Sequence, residues 1–197
     1  MRIAMLAPIS RRIPPRPYGP EEQLISDLTE GMVERGHRMT LFAAGNSLTR
    51  GELVAVCPRP LVEWEDEPWP DPRWWEDLHI SECMRRALLG DFDLIHNHMH
   101  IKALPFLAHL PVPALTTLHG AARDRQIHFI LKNFRGQPFV AMNGQEKSLL
   151  PELNYVAEID FPNPEHSRAI PRMLELYEEL YQKLIAEKAA LNKNPRA

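Results

Sequence analysis

The sequence predicts an α/β fold, with one doubly wound and mainly parallel sheet, helices on both of its faces, and a long amphipathic helix packed back on it at the C-terminal end. Short aliphatic runs alternate along the chain with stretches of helical periodicity, an order typical of parallel sheets. The runs are nearly continuous rather than alternating apolar with polar, which indicates strands covered on both faces. The 197 residues, 44% of them hydrophobic, suffice for one globular domain.

The first 36 residues predict a strand–helix–strand unit around which the rest is organised. Residues 2–7 form an apolar strand, and a proline-containing loop leads to a helix that begins at Pro20, where the missing N–H costs nothing. Gly36 stands where a left-handed C-cap is favoured, and a second strand follows over residues 39–44. Ligands of such sheets bind at the carboxyl ends of the strands, so the loop ending at Gly19 is the first candidate binding segment.

The same patterns predict the remaining elements of the domain, which covers residues 1–160. Strands are expected at residues 53–57, 92–96, 113–118, 139–142 and 154–159. Helices are expected at residues 79–89, 101–110, 122–134 and 145–150. Several of these elements are bounded by glycine or proline, which are strong turn signals.

The last part of the chain differs in character from the rest. Residues 161–169 are predicted as a linker, and residues 170–191 keep apolar side chains at helical spacing for over four turns. Such a helix must bury its apolar face, most simply against the sheet domain, with a coiled-coil partner as the alternative. Residues 192–197 are predicted as a frayed tail.

Composition excludes several classes of protein. The net charge of −3 gives no general reason to expect nucleic-acid binding. Cys57 and Cys83 lack metal or redox spacing and are expected to be buried thiols in a reducing compartment. No apolar run approaches the roughly 20 residues of a membrane span, and the N-terminal run is too short for a signal peptide, so we expect a cytoplasmic protein. Neither of the glycine-rich phosphate-binding motifs is present, and no cofactor is predicted.

All four tryptophans lie in an acidic, proline-rich stretch at residues 61–76, which is predicted as a loop. One interpretation is a surface loop whose rings pack down on the domain. The other is a binding patch for a sugar, a lipid or a partner, because clustered aromatic residues are common at binding surfaces. The sequence leaves both open.

Histidines follow two of the predicted strands. His96, His98 and His100 alternate at the end of one strand, and His119 with Gly120 follows the next. Three alternating imidazoles could ligate a metal, but no acidic residue or cysteine completes the set nearby, and no metal site is predicted. Binding of hydroxyl groups and plain structural roles are the alternatives. His119 should share a sheet edge with the other strand ends, which favours binding.

Five segments together resemble the N-terminal half of the family-four retaining glycosyltransferases, which have the GT-B fold of two Rossmann-like domains. The segments are the opening strand at 1–8, the glycine loop and helix start at 18–23, the entry to the second strand at 34–42, and the histidine motifs at 92–98 and 116–120. The resemblance covers roughly residues 1–160. Residues 172–181 also resemble the C-terminal helix that, in that family, returns to pack on the N-terminal domain.

In that family the N-terminal half mainly holds the acceptor, and a second domain binds the nucleotide sugar and supplies an E-x7-E motif. The resemblance implies that His119 lies beside the transferred sugar as the candidate catalytic residue, and that Gly19 faces the donor phosphates. It places His96 and His98 near the rim of the same cleft. The substrate-binding residues implied are Tyr18, Gly19, Glu22, His96, His98, His119 and Gly120.

The chain also departs from the family pattern. It lacks the length of a donor domain, and Glu179 and Glu187, although eight residues apart, fall on the polar face of the last helix. Asn143 stands where the family usually has serine. We therefore expect an engineered or truncated single-domain form with weak affinity for a sugar or nucleotide sugar and little or no transfer activity alone, and whether it is an enzyme is left open. The alternatives are one subunit of a two-chain transferase and a designed scaffold without a ligand. Expected partners are a donor-domain protein or a second copy, through the former inter-domain face.

Overall fold

The structure is a computed structural model that describes residues 1–17, 19–64, 71–160 and 169–193. The chain divides into two compact units, Met1–Phe92 and Asp93–Ala197. Every strand pairing within each unit is parallel, and helices connect many of the strands. The α/β class predicted from the sequence is therefore confirmed, as is the long C-terminal helix.

The first unit is built on three parallel strands in the order β3-β2-β1. Its elements are β1 (Arg2–Leu6), α1 (Pro20–Glu34), β2 (Arg38–Phe42), β3 (Glu52–Val54), a 3₁₀ turn (Leu61–Trp64) and α2 (Pro72–Leu88). Ile3 lies opposite Met39 in the β1–β2 register. Residues 3–7 are fully buried, in agreement with the prediction of a strand covered on both faces.

Helix α1 begins and ends where the sequence predicts. Pro20 is its first residue, and Gly36 follows it with φ of +84°, the left-handed conformation that glycine adopts without a steric penalty. Its core face consists of Leu24, Ile25, Leu28 and Met32, all buried. This face is the apolar stripe read from the sequence.

Helix α2 begins at Pro72, seven residues earlier than the predicted start at residue 79, so the prediction of a loop through residue 76 is wrong there. The Asp71 side chain accepts a hydrogen bond from the Arg73 N–H, and Pro72 occupies the first helical position. An Asp-Pro pair of this kind starts a helix as readily as it interrupts one. The spacing of apolar residues in the sequence predicts Leu88 on the buried face of this helix, but its side chain is exposed at the helix end.

The tryptophan-rich stretch is partly packed against the first unit. Trp64 is buried, its Nε1–H donates to the Arg59 carbonyl at 3.1 Å, and its ring lies 5.9 Å from that of Trp75. Trp74 is 63% exposed, and Trp69 lies outside the described residues. The interpretation of rings packed on the domain therefore applies to Trp64 and Trp75.

The second unit contains four parallel strands in the order β4-β5-β6-β7. Its elements are β4 (Leu94–Asn97), α3 (Leu104–Leu107), β5 (Ala114–Thr117), α4 (His128–Asn133), β6 (Phe139–Ala141), α5 (Gly144–Leu149), β7 (Tyr155–Glu158) and α6 (Ala169–Lys193). The single helix predicted over residues 122–134 is instead two 3₁₀ turns followed by α4. The side chain of Asp124 accepts from the Gln126 N–H and separates the two turns.

Helix α6 buries one face within the second unit, where it packs on β4. Met173, Leu174, Leu180 and Leu184 are buried on this face together with Tyr177 and Tyr181, which are completely buried. The helix continues to Lys193, two residues beyond its predicted end. Residues 161–168 of the predicted linker and the last four residues of the predicted tail lie outside the described residues, and residue 169 is the first of α6 rather than the last of the linker.

Two further observations bear on the expectations from composition. Cys57 and Cys83 are both free and buried, as predicted. In the parts of the chain that the structure describes, no helix combines the length and the apolar character that crossing a bilayer requires.

Candidate functional site

The loop that ends at Gly19 brings a carboxyl group against the start of α1. Gly19 is the N-cap residue, and its carbonyl accepts a hydrogen bond from the Gln23 N–H at 2.9 Å. A Cβ at position 19 would overlap Glu22 Oε2 and lie 3.0 Å from the Pro15 Cβ. Because the backbone of Gly19 is extended, close approach rather than a special φ requires glycine there.

Glu22 is buried beside that glycine, and burial raises the pKa of its carboxyl group above the ordinary value. A hydrogen bond from its own backbone N–H lowers the pKa, Glu21 raises it, and Arg11 nearby lowers it again. The Glu22 carboxyl group thus occupies the helix N-terminus, where an anion would otherwise bind. The chemistry offered there favours a hydroxyl group over a phosphate. Tyr18, the other predicted residue of this loop, lies outside the described residues.

The predicted histidines come together in the second unit, at the ends of two adjacent parallel strands. His96 lies in β4 and His98 just beyond it, while Thr117 ends β5 and His119 follows. The His96 and His98 ring centroids are 4.1 Å apart, and those of His98 and His119 are 4.9 Å apart. The structure thus brings together three imidazoles that the sequence places at two strand ends.

His96 is held entirely by protein groups. Its Nδ1 lies 2.7 Å from the hydroxyl of Tyr181, and its Nε2 lies 2.8 Å from Thr117 Oγ1. Tyr177 extends the network, with its hydroxyl 3.2 Å from the same Thr117 oxygen. Burial lowers the pKa of His96 well below its ordinary value, so the ring is neutral at pH 7. A contact between His96 and a ligand stays a prediction, because both of its ring nitrogens are engaged in this structure.

His98 differs from His96 in having one ring nitrogen in use. Its Nδ1 lies 2.6 Å from His119 Nε2, so one ring donates a hydrogen bond and the other accepts it. Its Nε2 is buried and has no hydrogen-bond partner among the described residues. Burial, aided by the neighbouring His96 and His100, lowers the pKa of His98 well below its ordinary value. A buried polar atom without a partner is uncommon in proteins and indicates a position where a further group is accommodated.

The turn after β5 has an unusual backbone. Gly120 has φ of +83° and His119 has φ of +49°, and His100, after β4, also has φ of +49°. Histidine tolerates this left-handed region better than most residues but pays about 1 kcal/mol or more in strain, and such residues concentrate at functional sites. The rings of His100 and His119 are 5.6 Å apart, so the two strained residues face each other.

Sequence reasoning singled out His100 but missed Asn97, the second residue that holds this turn in place. The Nδ1–H of His100 donates to the Leu118 carbonyl at 3.0 Å. The side-chain amide of Asn97 donates to the His100 carbonyl at 3.0 Å and to Thr116 Oγ1 at 3.1 Å, and its oxygen accepts from the Met99 N–H at 2.8 Å. The only signal in the sequence is the polar character of the strand ends.

The imidazoles of this cluster can hydrogen-bond to hydroxyl groups. Among the described residues, no group of three or more His, Cys, Asp or Glu side chains is placed to hold a metal. Neutral imidazoles can either donate or accept one hydrogen bond at each nitrogen, which complements the hydroxyl groups of a polyol. The second unit is therefore an α/β unit with a histidine edge, formed by His98, His100 and His119, that is suited to bind a hydroxylated ligand.

Comparison with known proteins gives the family. The model of glycosyltransferase family 4 matches residues 22–149, which is more than half of the chain. The chain therefore belongs to glycosyltransferase family 4, and its resemblance to the N-terminal half of that family is confirmed. The match includes Glu22 and the histidine edge, whereas α6 lies beyond it.

Among solved structures, the chain is similar to the crystal structure of AviGT4, a glycosyltransferase involved in avilamycin A biosynthesis. The two are 18% identical, with a TM-score of 0.46, over 77% of this chain and 39% of that one. The chain thus spans about two fifths of the length of AviGT4. No curated protein matches the sequence.

Proposed function

We propose that this chain is a sugar-binding, acceptor-side half of a nucleotide-sugar-dependent retaining glycosyltransferase, with little or no transfer activity by itself. The observation that carries the proposal is the buried Nε2 of His98, which has no hydrogen-bond partner among the described residues, beside His119 in its strained turn. Membership of glycosyltransferase family 4 supplies the class of ligand, since a sugar offers the hydroxyl groups that such an edge can bind.

His98 serves a sugar hydroxyl whichever ring donates in the His98–His119 pair. If His98 Nδ1–H donates, its Nε2 accepts from the hydroxyl; if it accepts, Nε2–H donates to the hydroxyl oxygen. A neutral ring is needed in both cases, and burial keeps it neutral. A charged imidazolium would instead favour phosphate, so the depressed pKa of His98 favours the sugar over the diphosphate.

Little or no sugar transfer is expected from this chain alone because the neutral imidazoles of the histidine edge carry no positive charge. Departure of a nucleoside diphosphate requires stabilisation of its developing negative charge, usually by cations or a helix N-terminus. The neutral rings of His96 and His98 do not supply that charge, and in the family pattern the second domain does. Productive transfer then requires a donor domain, whether from the same or from a separate polypeptide. An engineered or truncated form of a transferase and one subunit of a two-chain enzyme both agree with this proposal.

The test is a titration of the purified chain with a panel of free sugars and nucleotide sugars, followed by NMR of the imidazole rings and by calorimetry. We expect at least one sugar to shift the His98 and His119 resonances. His119→Asn is the best variant because asparagine also tolerates a positive φ. It should weaken that binding by about tenfold or more, and it should also lower the free energy of unfolding by about 1–3 kcal/mol, because the buried His98 Nδ1 loses its partner. His109→Asn, at an exposed position of the same unit, is the matched control.

Three results would count against the proposal. A panel in which no sugar moves the His98 or His119 resonances would favour a scaffold without a ligand. If His119→Asn bound the sugar with wild-type affinity, the histidine edge would not be the binding site. Sustained sugar transfer by the homogeneous chain would contradict the expected need for a separate donor domain.

A further inference from the structure

A second polar cavity lies in the first unit, formed by the loop between β1 and α1 and by two neighbouring segments. Its volume is about 240 Å³. It is lined by Arg11, Arg12, Arg16, Asn46, Pro60, Val62 and Glu63. At roughly 30 Å³ per water molecule, the space holds the equivalent of about eight waters, enough for a phosphate or carboxylate with part of a sugar ring. We call it the arginine cavity.

The three arginines of this cavity differ from most others in the unit. Among the described residues, none of Arg11, Arg12 and Arg16 has a carboxylate within ion-pair distance. By contrast, Arg50 pairs with Glu30 at 2.8 Å, and Arg86 pairs with Glu52 at 2.6 Å. Both of those arginines line a larger cavity of about 440 Å³, and each has a carboxylate partner, which the three arginines of the arginine cavity do not have among the described residues.

Two atoms at the arginine cavity are buried without a hydrogen-bond partner among the described residues. They are Nε of Arg12, which is a charged donor, and Oδ1 of Asn46, which is an acceptor. The amide nitrogen of Asn46 donates to Glu63 Oε1 at 3.2 Å, which fixes the direction of its oxygen and engages the one acidic residue of the lining. A buried guanidinium N–H without an acceptor costs more than a neutral donor would, so an anionic oxygen is the group that best satisfies it.

We propose that the arginine cavity binds an acidic sugar, with its phosphate or carboxylate on Arg12 and a hydroxyl donating to Asn46. A ligand that carries an anionic group and a hydroxyl group satisfies both the donor and the acceptor left over in this space, and the cavity of about 240 Å³ has room for part of a sugar ring between them. This inference rests on the proposed function, of which it specifies the substrate class: the acceptor is an acidic rather than a neutral sugar.

The first experiment compares four probes by calorimetry on the full chain: a hexose, the corresponding hexose 6-phosphate, the hexuronate, and inorganic phosphate. The acidic sugars should bind at least about tenfold more tightly than the hexose, as one charge-assisted hydrogen bond implies. Their advantage should shrink in part as salt rises from about 0.05 to 0.5 M, since salt screens the attraction of the exposed Arg11 and Arg16 more than that of the buried Arg12 Nε. Inorganic phosphate should bind more weakly than the sugar phosphate.

Variants then locate the effect. Arg12→Gln keeps most of the side-chain stem and removes the charge, and Asn46→Asp keeps the shape and adds a repelling charge. Both should lower the ratio of acidic-sugar affinity to hexose affinity by about tenfold. Arg123→Gln, an exposed arginine of the second unit, is the matched control and should leave the ratio unchanged. Exposed Arg16→Gln gives a second test that does not disturb packing, with a loss of a fewfold expected.

The ratio separates this inference from the proposed function. His119→Asn should weaken the binding of the hexose and leave the affinity of the acidic sugar for the arginine cavity unchanged, whereas Arg12→Gln should do the reverse, so failure at the histidine edge and failure at the arginine cavity give different results. Equal affinity for acidic and neutral sugars overturns the inference, as does an unchanged ratio in a correctly folded Arg12→Gln. Phosphate binding as tight as that of the sugar phosphate overturns the requirement for a sugar, and binding of none of the probes overturns the whole inference.

Discussion

The hydroxyl of Tyr181 offers the sharpest test of the network behind the histidine edge. It lies 2.7 Å from His96 Nδ1, and both side chains are completely buried. Tyr181→Phe keeps the ring and its packing but leaves that nitrogen without a partner and without access to water. Loss of a buried hydrogen bond that strands its partner costs about 1–3 kcal/mol of unfolding free energy. We expect a loss in that range.

Tyr177→Phe is the matched control on the same helix. Its hydroxyl lies 3.2 Å from Thr117 Oγ1, and that oxygen keeps His96 Nε2 at 2.8 Å when Tyr177 is changed. No buried group is stranded, so the cost should be only about 0.5–1.5 kcal/mol, the net value of one ordinary hydrogen bond. The measurement is urea unfolding followed by helical circular dichroism, with both variants fitted at the slope of the wild type.

A double-mutant cycle completes the test. His96→Leu combined with Tyr181→Phe should be less destabilising than the sum of the two single changes, because the second change removes a group that the first has already stranded. A loss in Tyr177→Phe equal to or larger than that in Tyr181→Phe would refute the reasoning. So would strict additivity of His96→Leu and Tyr181→Phe, since it would show that the 2.7 Å contact carries no coupling.

Three further predictions concern protonation, backbone and thiols. Burial lowers the pKa of His79 from 6.5 to about 4, so the folded protein binds a proton at this side chain less readily than the unfolded chain does. The free energy of unfolding should therefore fall by up to about 3 kcal/mol as the pH drops from about 6.5 to 4. In His79→Gln the free energy of unfolding should depend less on pH over that range. Gly120→Ala should cost about 1–2 kcal/mol in thermal unfolding because of its φ of +83°, whereas Gly136→Ala, with open space around the new Cβ, should be neutral or slightly stabilising. Cys57 and Cys83 should resist alkylation in the native protein, since burial raises the pKa of both thiols, that of Cys83 to about 12, and fast labelling of the folded chain would contradict this.

Most of the fold could be predicted from the sequence because its signals are local. Runs such as residues 2–7 are short, apolar and bounded by turn residues, and the stripe of α1 repeats at helical spacing. The start of α2 could not be placed in the same way, since Asp71-Pro72 is a helix start or a chain break depending on how the neighbouring residues pack. The two 3₁₀ turns before α4 were not predicted for a similar reason, because the Asp124 side chain accepts a hydrogen bond from a nearby backbone N–H and so interrupts the helix that the sequence pattern indicates.

The candidate site was predictable in position but not in chemistry. The sequence places alternating histidines at the end of one strand and His119 after the next. Because neighbouring parallel strands end side by side, these residues are predicted at the same edge of the sheet. Which imidazole remains available depends on Tyr181, 85 residues from His96 along the chain, and no local pattern links them. The positive φ of His119 is likewise a property of the folded turn.

Helix α6 therefore does more than cover the sheet strands of its unit. It lies beyond the part of the chain that matches glycosyltransferase family 4, yet Tyr181 hydrogen-bonds to His96, and Tyr177 is linked to it through Thr117. The His96 ring in turn lies against that of His98, with the centroids 4.1 Å apart. With His96 fully engaged and neutral, the imidazole nitrogen left without a partner among the described residues of this cluster is His98 Nε2. Without the tyrosines, both His96 and His98 would be buried imidazoles with an unpaired nitrogen, and each would need water or a proton to satisfy it. In either case the pair would be less selective for a hydroxyl group. In the proposed site the tyrosines would be positioning residues: they contact His96 rather than the ligand, and they lie on a helix that the family match does not include.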